Sequence, residues 1–364
     1  MLFLGGLVCC GPTPDREVAS QMSEGGVSLW VTGPALPQPV ANNAVAGHMR
    51  NGTAEVYSFL GIDTSRVWSG VGSWAYRWRM DEERWTTLPP VPGPGRLAAT
   101  AQAMNGKLYV FGGYTVDSTG AEASLPNLDI FDPESERWSA GAPLPVPVDD
   151  AVSAVWKDSL IFLVSGWHND GNVRDVQIYD PARDTWRRAD SIPGPPVFGH
   201  TGGVSGNDLV YVDGAEVVTG SPRYRLAPSS WLGVVDAALP ARITWSALPP
   251  HPGPPLYRAA SIGLAEGVLF YGGTDNPYNY NGTGYNGVPA EPRSQGLLYR
   301  RSDRTWQILS ELPAASMDHR GLVVAGDRLV IIGGMDGDRR VISAVWHAGV
   351  AEVMASALDS SDPG

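Results

Sequence analysis

Six tryptophans recur along this 364-residue chain, at Trp30, Trp85, Trp138, Trp186, Trp245 and Trp306, spaced 48 to 61 residues apart. Each is followed, three or six positions later, by an aliphatic residue and a proline: Leu36-Pro37, Leu88-Pro89, Leu144-Pro145, Ile192-Pro193, Leu248-Pro249 and Leu312-Pro313. A period near 50 residues implies an array of one repeated supersecondary unit, in which neighbouring copies bury each other's apolar faces. The 44 glycines and 31 prolines suit short strands joined by turns and are too many for a helical protein. Length alone would suggest two or three domains, but closed all-β architectures often exceed that prior as one unit.

The second copy shows the unit most clearly. Gly95-Arg96 opens it, and an apolar run leads to the tight turn Asn105-Gly106. LYVFGG (108–113), a variable loop and LDIFDP (128–133) follow, and Arg137-Trp138 runs on to Leu144-Pro145. Two apolar runs flanking an Asn-Gly pair read as a hairpin, so the unit is four antiparallel strands, a to d. Gly112-Gly113 suits a backbone that needs positive φ or a close approach of neighbouring chain. Gly272-Gly273 and Gly333-Gly334 repeat the pair, whereas Leu60-Gly61, Ser165-Gly166 and Asp213-Gly214 keep only its second member. The double glycine, the strand-c Tyr or Phe before Asp-Pro, and the Trp behind it resemble the kelch repeat. The resemblance covers residues 28 to about 350 and implies an all-β, six-bladed kelch β-propeller.

The sixth copy, from Asp318 through LVIIGG to VISAVWHAG (341–349), stops without a strand d, while SLWVTGPALP (28–37) is an orphan strand d at the N-terminus. Pairing the two closes the ring with the chain's own first strand and removes an open sheet edge. The expected layout is an export signal or linker over 1–27, a propeller over 28–350 and a flexible tail over 351–364. MLFLGGLVCCGPTPD is apolar and then abruptly polar, without a basic n-region. It reads as the end of a secretory signal, with a lipid anchor near Cys9 and Cys10, the chain's two cysteines. The expected location is periplasmic or cell-surface, with the cytoplasm left open. No segment is apolar over 18 residues, so no transmembrane helix is expected. Cysteine-free repeats exclude a disulfide framework or a cysteine-based metal site within them. A net charge of −12 with no Lys/Arg block excludes nucleic acid as a partner.

The a–b turns are short, and the b–c loops are long in copies 1, 2, 4 and 5; b–c loops and d–a links share one face. Insertions in repeat proteins cluster on the working face. The longest, residues 274–292 of blade 5, carries Tyr278, Tyr280 and Tyr285 among Asn and Gly, which suits stacking and hydrogen bonding to a sugar. The d–a links supply Asn42, Asn43, Arg96, Asp149, Asp150, His200, Arg258 and Asp318-His319-Arg320. Arg96, Arg258 and Arg320 precede the second glycine of their copy by similar distances and are expected at one structural place. There they would hold an anion or bond neighbouring carbonyls. The expected pocket opens on the b–c face at the axis, lined by Arg96, Asp150, His200, Glu216, Arg223, Arg258 and Arg320, with Tyr278 and Tyr285 at its rim.

Within bacterial six-bladed kelch proteins, three features resemble the N-acetylneuraminate epimerase family, periplasmic sialic-acid mutarotases. They are the orphan first strand, the Gly-then-Glu of blade 4, and the Tyr/Asn/Gly insertion after the blade 5 double glycine. That resemblance implies Glu216 as base and Arg223 as its pocket arginine, although Ala215 intervenes between Gly214 and Glu216. Mutarotation needs one carboxylate and one proton donor, and no cofactor or metal. Copper radical oxidases also use kelch propellers, but the repeats here lack the cysteine their radical centre requires. Two readings therefore stand: a cofactor-free mutarotase or epimerase acting on a sugar, with an anionic one favoured by the arginines, or a non-catalytic module binding a protein or glycan on the b–c face. Propellers host both kinds of function, so fold does not choose between them.

Overall fold

The structure, a computed structural model, describes residues 28–359. The expected export segment and both cysteines lie outside the described residues. Among the described residues six antiparallel blade sheets, five of four strands and one of five, surround one axis, with strand a innermost. Blade 2, for example, comprises Thr100–Met104, Lys107–Phe111, Leu128–Asp132 and Arg137–Ala140. Strand b is buried along its whole length in blades 3, 4 and 5 (Leu160–Val164, Asp208–Val212 and Gly267–Tyr271), because neighbouring blades cover both of its faces. That double burial explains why these strands read as near-continuous apolar runs rather than alternating ones. The apolar core is correspondingly divided into clusters between blades. Phe59 and Leu88 of blade 1 share one with Val110 and Phe131 of blade 2, and Phe162 and Ile178 of blade 3 share another with Leu209 and Tyr211 of blade 4.

The ring closes as expected. Val31–Thr32 pairs antiparallel with Val345–Gly349, Val31 opposite His347 and Thr32 opposite Trp346. Gly33 and Leu36 extend the pairing by donating to Val345 and Ser343 carbonyls at 2.8 and 2.9 Å. The expected flexible tail is corrected as far as residue 359. Val350–Ala355 is a short helix with Val353 buried against blade 6, and Leu358–Asp359 adds a fifth strand to blade 5 by pairing with Gln307 and Ile308. An apolar side chain and an unpaired strand edge hold this segment where composition suggested loose chain.

The glycine pair has a definite physical cause. Both of its positions are left-handed in every blade: φ is 56° and 87° at Gly112-Gly113, and 60° and 109° at Leu60-Gly61. The second N–H of each pair donates to the link entering the next blade, on the carbonyls of Arg96, Val148, Val197, Leu256, Ser316 and, across the closure, Val40. A Cβ on Gly112 would sit 2.1 Å from the Val148 carbonyl oxygen. Where glycine is replaced at the first position, side-chain hydrogen bonds offset left-handed strain in two cases. Ser165 donates to Val173 and Val197. Asp213 accepts from Ser229 and Leu256 amides and pairs with His251 Nε2 at 2.6 Å.

Burial opposes charging of His251, but the hydrogen bond and charge of Asp213 outweigh it and raise the pKa of the imidazole. A histidine raised in the folded state adds stability below its unfolded pKa, about 6.5, and loses that contribution as pH climbs through the folded value. His251→Gln should therefore flatten part of the decline in Tm as pH rises above about 6.5; an unchanged pH profile would show that the pair contributes nothing.

The repeated tryptophans staple neighbouring blades. Trp85, Trp138, Trp186, Trp245 and Trp306 each donate the indole N–H to the link that follows the preceding blade, on the carbonyls of Pro34, Pro89, Ala142, Asp190 and Pro249. Trp30 instead stacks edge-on against Tyr271 at 5.1 Å. Burial is uneven: Trp30, Trp85 and Trp306 are buried, whereas Trp138 is half-exposed. Trp306→Ala should cost about 3–5 kcal/mol in chemical denaturation and Trp138→Ala clearly less. Equal losses would mean that burial of the ring does not govern the effect.

Candidate functional site

One residue in each d–a link turns left-handed beside the axis: Asn42, Ala98, Asp150, Gly199, Arg258 and Asp318, with φ from 51° to 70°. These turns are hydrogen-bonded into a circle. Amides of Asn42, Asp150, Gly199, Arg258 and His319 donate to the carbonyls of Asp318, Ala98, Asp150, Gly199 and Arg258 at 2.8–3.1 Å. The Ala98 amide completes the circle by donating to Asn42 Oδ1. The circle carries Asp150, Arg258 and Asp318 to the axis, and Arg320 joins them from the start of blade 6.

There the charges neutralise one another. Arg258 Nη2 lies 2.6 Å from Asp150 Oδ2 and its Nη1 3.1 Å from Asp318 Oδ1. Arg320 Nη2 reaches Asp150 at 3.0 Å and Asp318 at 3.3 Å, and its Nε donates to Asn42 Oδ1. Burial works to raise the Asp150 pKa, but Arg258 and Arg320 outweigh it and hold the carboxyl below its ordinary range. Next to it, burial and the Asp150 charge push Asp149 well above that range, with Ser124 Oγ donating to its Oδ2 at 2.6 Å. His200 is buried against the Val164 carbonyl at 3.0 Å. Burial lowers its pKa to about 4, so the ring is neutral at physiological pH.

The three arginines expected at one place occupy three. Arg258 is on the hydrogen-bonded circle and Arg320 two residues past it. Arg96 takes the position that Val148, Val197 and Leu256 fill in their own links, each offering its carbonyl to the preceding blade's glycine pair. Its side chain is therefore fully buried, paired with Asp129 of blade 2, and its Nε and Nη1 have no hydrogen-bond partner among the described residues. Spacing to the glycine pair could not resolve these positions, because links differ in length by a few residues.

The pocket expected on the b–c face at the axis is not open. A core of Leu97, Phe198, Tyr257, Met317 and Met335 fills that end, and the blade 5 insertion lies across it. Tyr278, expected at a rim, is fully buried. Its ring meets Tyr257 edge-on at 5.5 Å and faces the Arg258 guanidinium at 5.1 Å. An aromatic ring with a polar tip is stable in such an apolar, cation-flanked setting, which sequence position alone does not reveal. A cavity of about 330 Å3 lies below the charge cluster instead, lined by strand a of all six blades. Asp150, His200, His319 and Arg320 border its upper end, and Asp158 of an a–b turn borders its lower one. Of the nine expected site residues, Asp150, His200 and Arg320 border this cavity.

Glu216 and Arg223 lie apart from the axis, on a hairpin of the blade 4 loop formed by Ala215–Val217 and Tyr224–Leu226. Its register sets Glu216 opposite Arg225, and Arg225 Nε donates to Glu216 Oε1 at 2.9 Å. The Glu216 side chain is 19% exposed. Arg223 donates to the Asp170 carbonyl at 3.1 Å, and its guanidinium lies 5.6 Å from the Trp167 ring and 5.4 Å from Tyr224. Tyr285, from the blade 5 loop, packs on Tyr224 at 4.4 Å. A carboxylate, two arginines and three aromatic rings thus meet on the b–c face. Sequence reasoning missed Trp167 and the pairing of Arg225 with Glu216. Two-residue alternation through Arg223-Tyr224-Arg225 is the signal that could have found that pairing.

Residues 95–145 match the family described as Kelch motif. The chain is 25% identical over 338 residues to N-acetylneuraminate epimerase 1 of Escherichia coli O6:H1, covering 80% of this chain and 88% of that protein. It is 23% identical to the N-acetylneuraminate epimerase of Yersinia enterocolitica, covering 78% and 85% of the two chains. Among solved structures it superposes on YjhT with a TM-score of 0.68 at 17% identity, over 87% of this chain and 96% of that one. The chain is a six-bladed β-propeller that carries a match to the Kelch motif at residues 95–145 and resembles the N-acetylneuraminate epimerases over most of its length.

Proposed function

We propose that this propeller binds an anionic sugar of the sialic-acid type on its b–c face and interconverts its anomers, acting outside the cytoplasm. The observation that carries the reading is the Glu216 hairpin. One carboxylate oxygen is fixed by Arg225, the side chain remains partly exposed, and Arg223 stands beside it on an aromatic surface. Similarity to proteins named N-acetylneuraminate epimerase, spread over about four-fifths of both chains, supports the substrate class. The apolar stretch before Cys9 supports export.

The chemistry requires little. Glu216 takes the proton of the anomeric hydroxyl as the C–O bond to the ring oxygen breaks, leaving a carbonyl. The ring oxygen takes a proton from water or from the newly formed carboxylic acid. Rotation about the bond joining the carbonyl carbon to its former ring neighbour presents the other face of the carbonyl, and the reverse steps then close the ring with the other configuration. Arg223 holds the sugar carboxylate through its planar fork. Aromatic faces at Trp167, Tyr224 and Tyr285 suit the apolar side of a sugar ring.

Exchange between the anomers of N-acetylneuraminic acid, followed by NMR, tests this. Wild-type protein should accelerate exchange. Glu216→Gln should return it to the uncatalysed rate with the fold intact, because an amide accepts no proton. Arg223→Ala should chiefly weaken binding. An uncatalysed rate with wild-type protein would leave a binding module without chemistry, a reading favoured by the mutual neutralisation of the axial arginines.

A further inference from the structure

We propose that Asn279 occupies, in this closed arrangement, a recognition site for an amide group of a ligand, the acetamido group of an N-acylated amino sugar being the chemical class that fits. Asn279 lies in the blade 5 loop and reaches across the axial end of the b–c face to blade 2. Its Oδ1 accepts from Tyr114 Oη at 2.9 Å, and its Nδ2 donates to Glu122 Oε1 at 2.6 Å. Its backbone carbonyl accepts from Arg258 Nη1. Donor and acceptor therefore read both ends of one planar amide, and a cation reads a carbonyl beside it. An acylated amino sugar offers the same set: an amide C=O and N–H near further oxygens.

The receiving groups are built into the blades and do not belong to the loop. Tyr114 follows the blade 2 glycine pair and is fixed by a two-way backbone bridge with Leu97. Its ring is buried, as is Arg258, which Asp150 and Asp318 clamp. Asn279 itself is half-buried and Glu122 is exposed, so the site reaches solvent on the blade 2 side. The loop is also held two residues further on, where Arg66 of blade 1 donates to the Asn281 carbonyl at 2.8 Å and, at 2.9 Å, to that of Arg339 in blade 6. A ligand amide entering from blade 2 would replace one amide by another at Tyr114 and Glu122, so little hydrogen bonding is lost in the exchange. Tyr285, in the same loop, packs on Tyr224 of the Glu216 hairpin. The exchange site and the proposed base are thus linked through one loop, and the inference rests on the sugar-binding reading above.

Calorimetric titration tests it with three probes: N-acetylneuraminic acid, N-acetyl-D-mannosamine, and D-mannose as the sugar without an amide. Asn279→Gly removes the internal competitor and should tighten binding of both acetamido sugars about tenfold, the scale of one hydrogen bond. Tyr114→Phe keeps the ring and its packing and should weaken both about tenfold. Neither change should alter the response to D-mannose. The inference is overturned if natively folded Asn279→Gly binds the acetamido sugars no better than wild type, or if amide and non-amide sugars respond alike to both substitutions. Because the readout is binding, absent anomer exchange would remove the Glu216 chemistry and leave this site standing. Indifference to Asn279 and Tyr114 would do the reverse.

Discussion

Everything in this molecule hangs on two concentric circles of hydrogen bonds between blades, both made by left-handed backbone. The inner circle joins the six d–a turns around the axis; the outer joins each glycine pair to the link entering the next blade. Left-handed backbone costs an L-residue roughly 1–2 kcal/mol, and non-glycine residues sit there at Leu60, Ala98, Ser165, Asp213 and Arg258. The conformation persists because the alternative is worse. Buried amides and carbonyls near the axis are shielded from bulk water, and an orphaned one costs as much as the strain or more. Each circle also needs all six members. Its last link runs from Gly334 to Val40 in one case and from Asn42 to Asp318 in the other, so closure waits for the first strand to meet the last.

The same geometry decides where chemistry can reside. Turning six links inward concentrates polar side chains in a space that excludes solvent. Charges there persist only if paired, since desolvation of an isolated ion exceeds what one contact returns. Asp150, Asp318, Arg258 and Arg320 satisfy that demand among themselves, and Arg96 with Asp129 does so between blades. The arginines are thereby largely spent on structure. What remains available lies in the loops above: the partly exposed Glu216 with Arg225, Arg223 on Trp167, and the amide of Asn279 on groups supplied by blade 2.

Much of the fold was legible in the chain. The tryptophan period, the Asn-Gly hairpins, the glycine pairs and the orphan first strand each report a local backbone demand that recurs at fixed spacing, and a recurring local demand survives translation into sequence. The site was legible only in part. Glu216 and Arg223 do share one hairpin, but Arg225 meets the carboxylate because strand register, not sequence proximity, sets cross-strand partners. Tyr278 is buried where an exposed rim was expected, because its loop folds over the axis onto Tyr257 and Arg258. The tail is structured to residue 359 because blade 5 offers it an unpaired edge.

By itself, then, the sequence determined the unit, the number of copies and the way the ring closes, since these follow from turn chemistry and apolar patterning within about fifty residues. Tertiary structure alone decided which polar residues meet. Arg96, Arg258 and Arg320 look equivalent by spacing, yet one is sealed between blades, one bridges two aspartates on the axis and one caps a cavity. The physical reason is that backbone geometry is a local property, repeated in every copy, whereas the partners of a buried charge come from other blades, up to 278 residues away for Arg320 and Asn42.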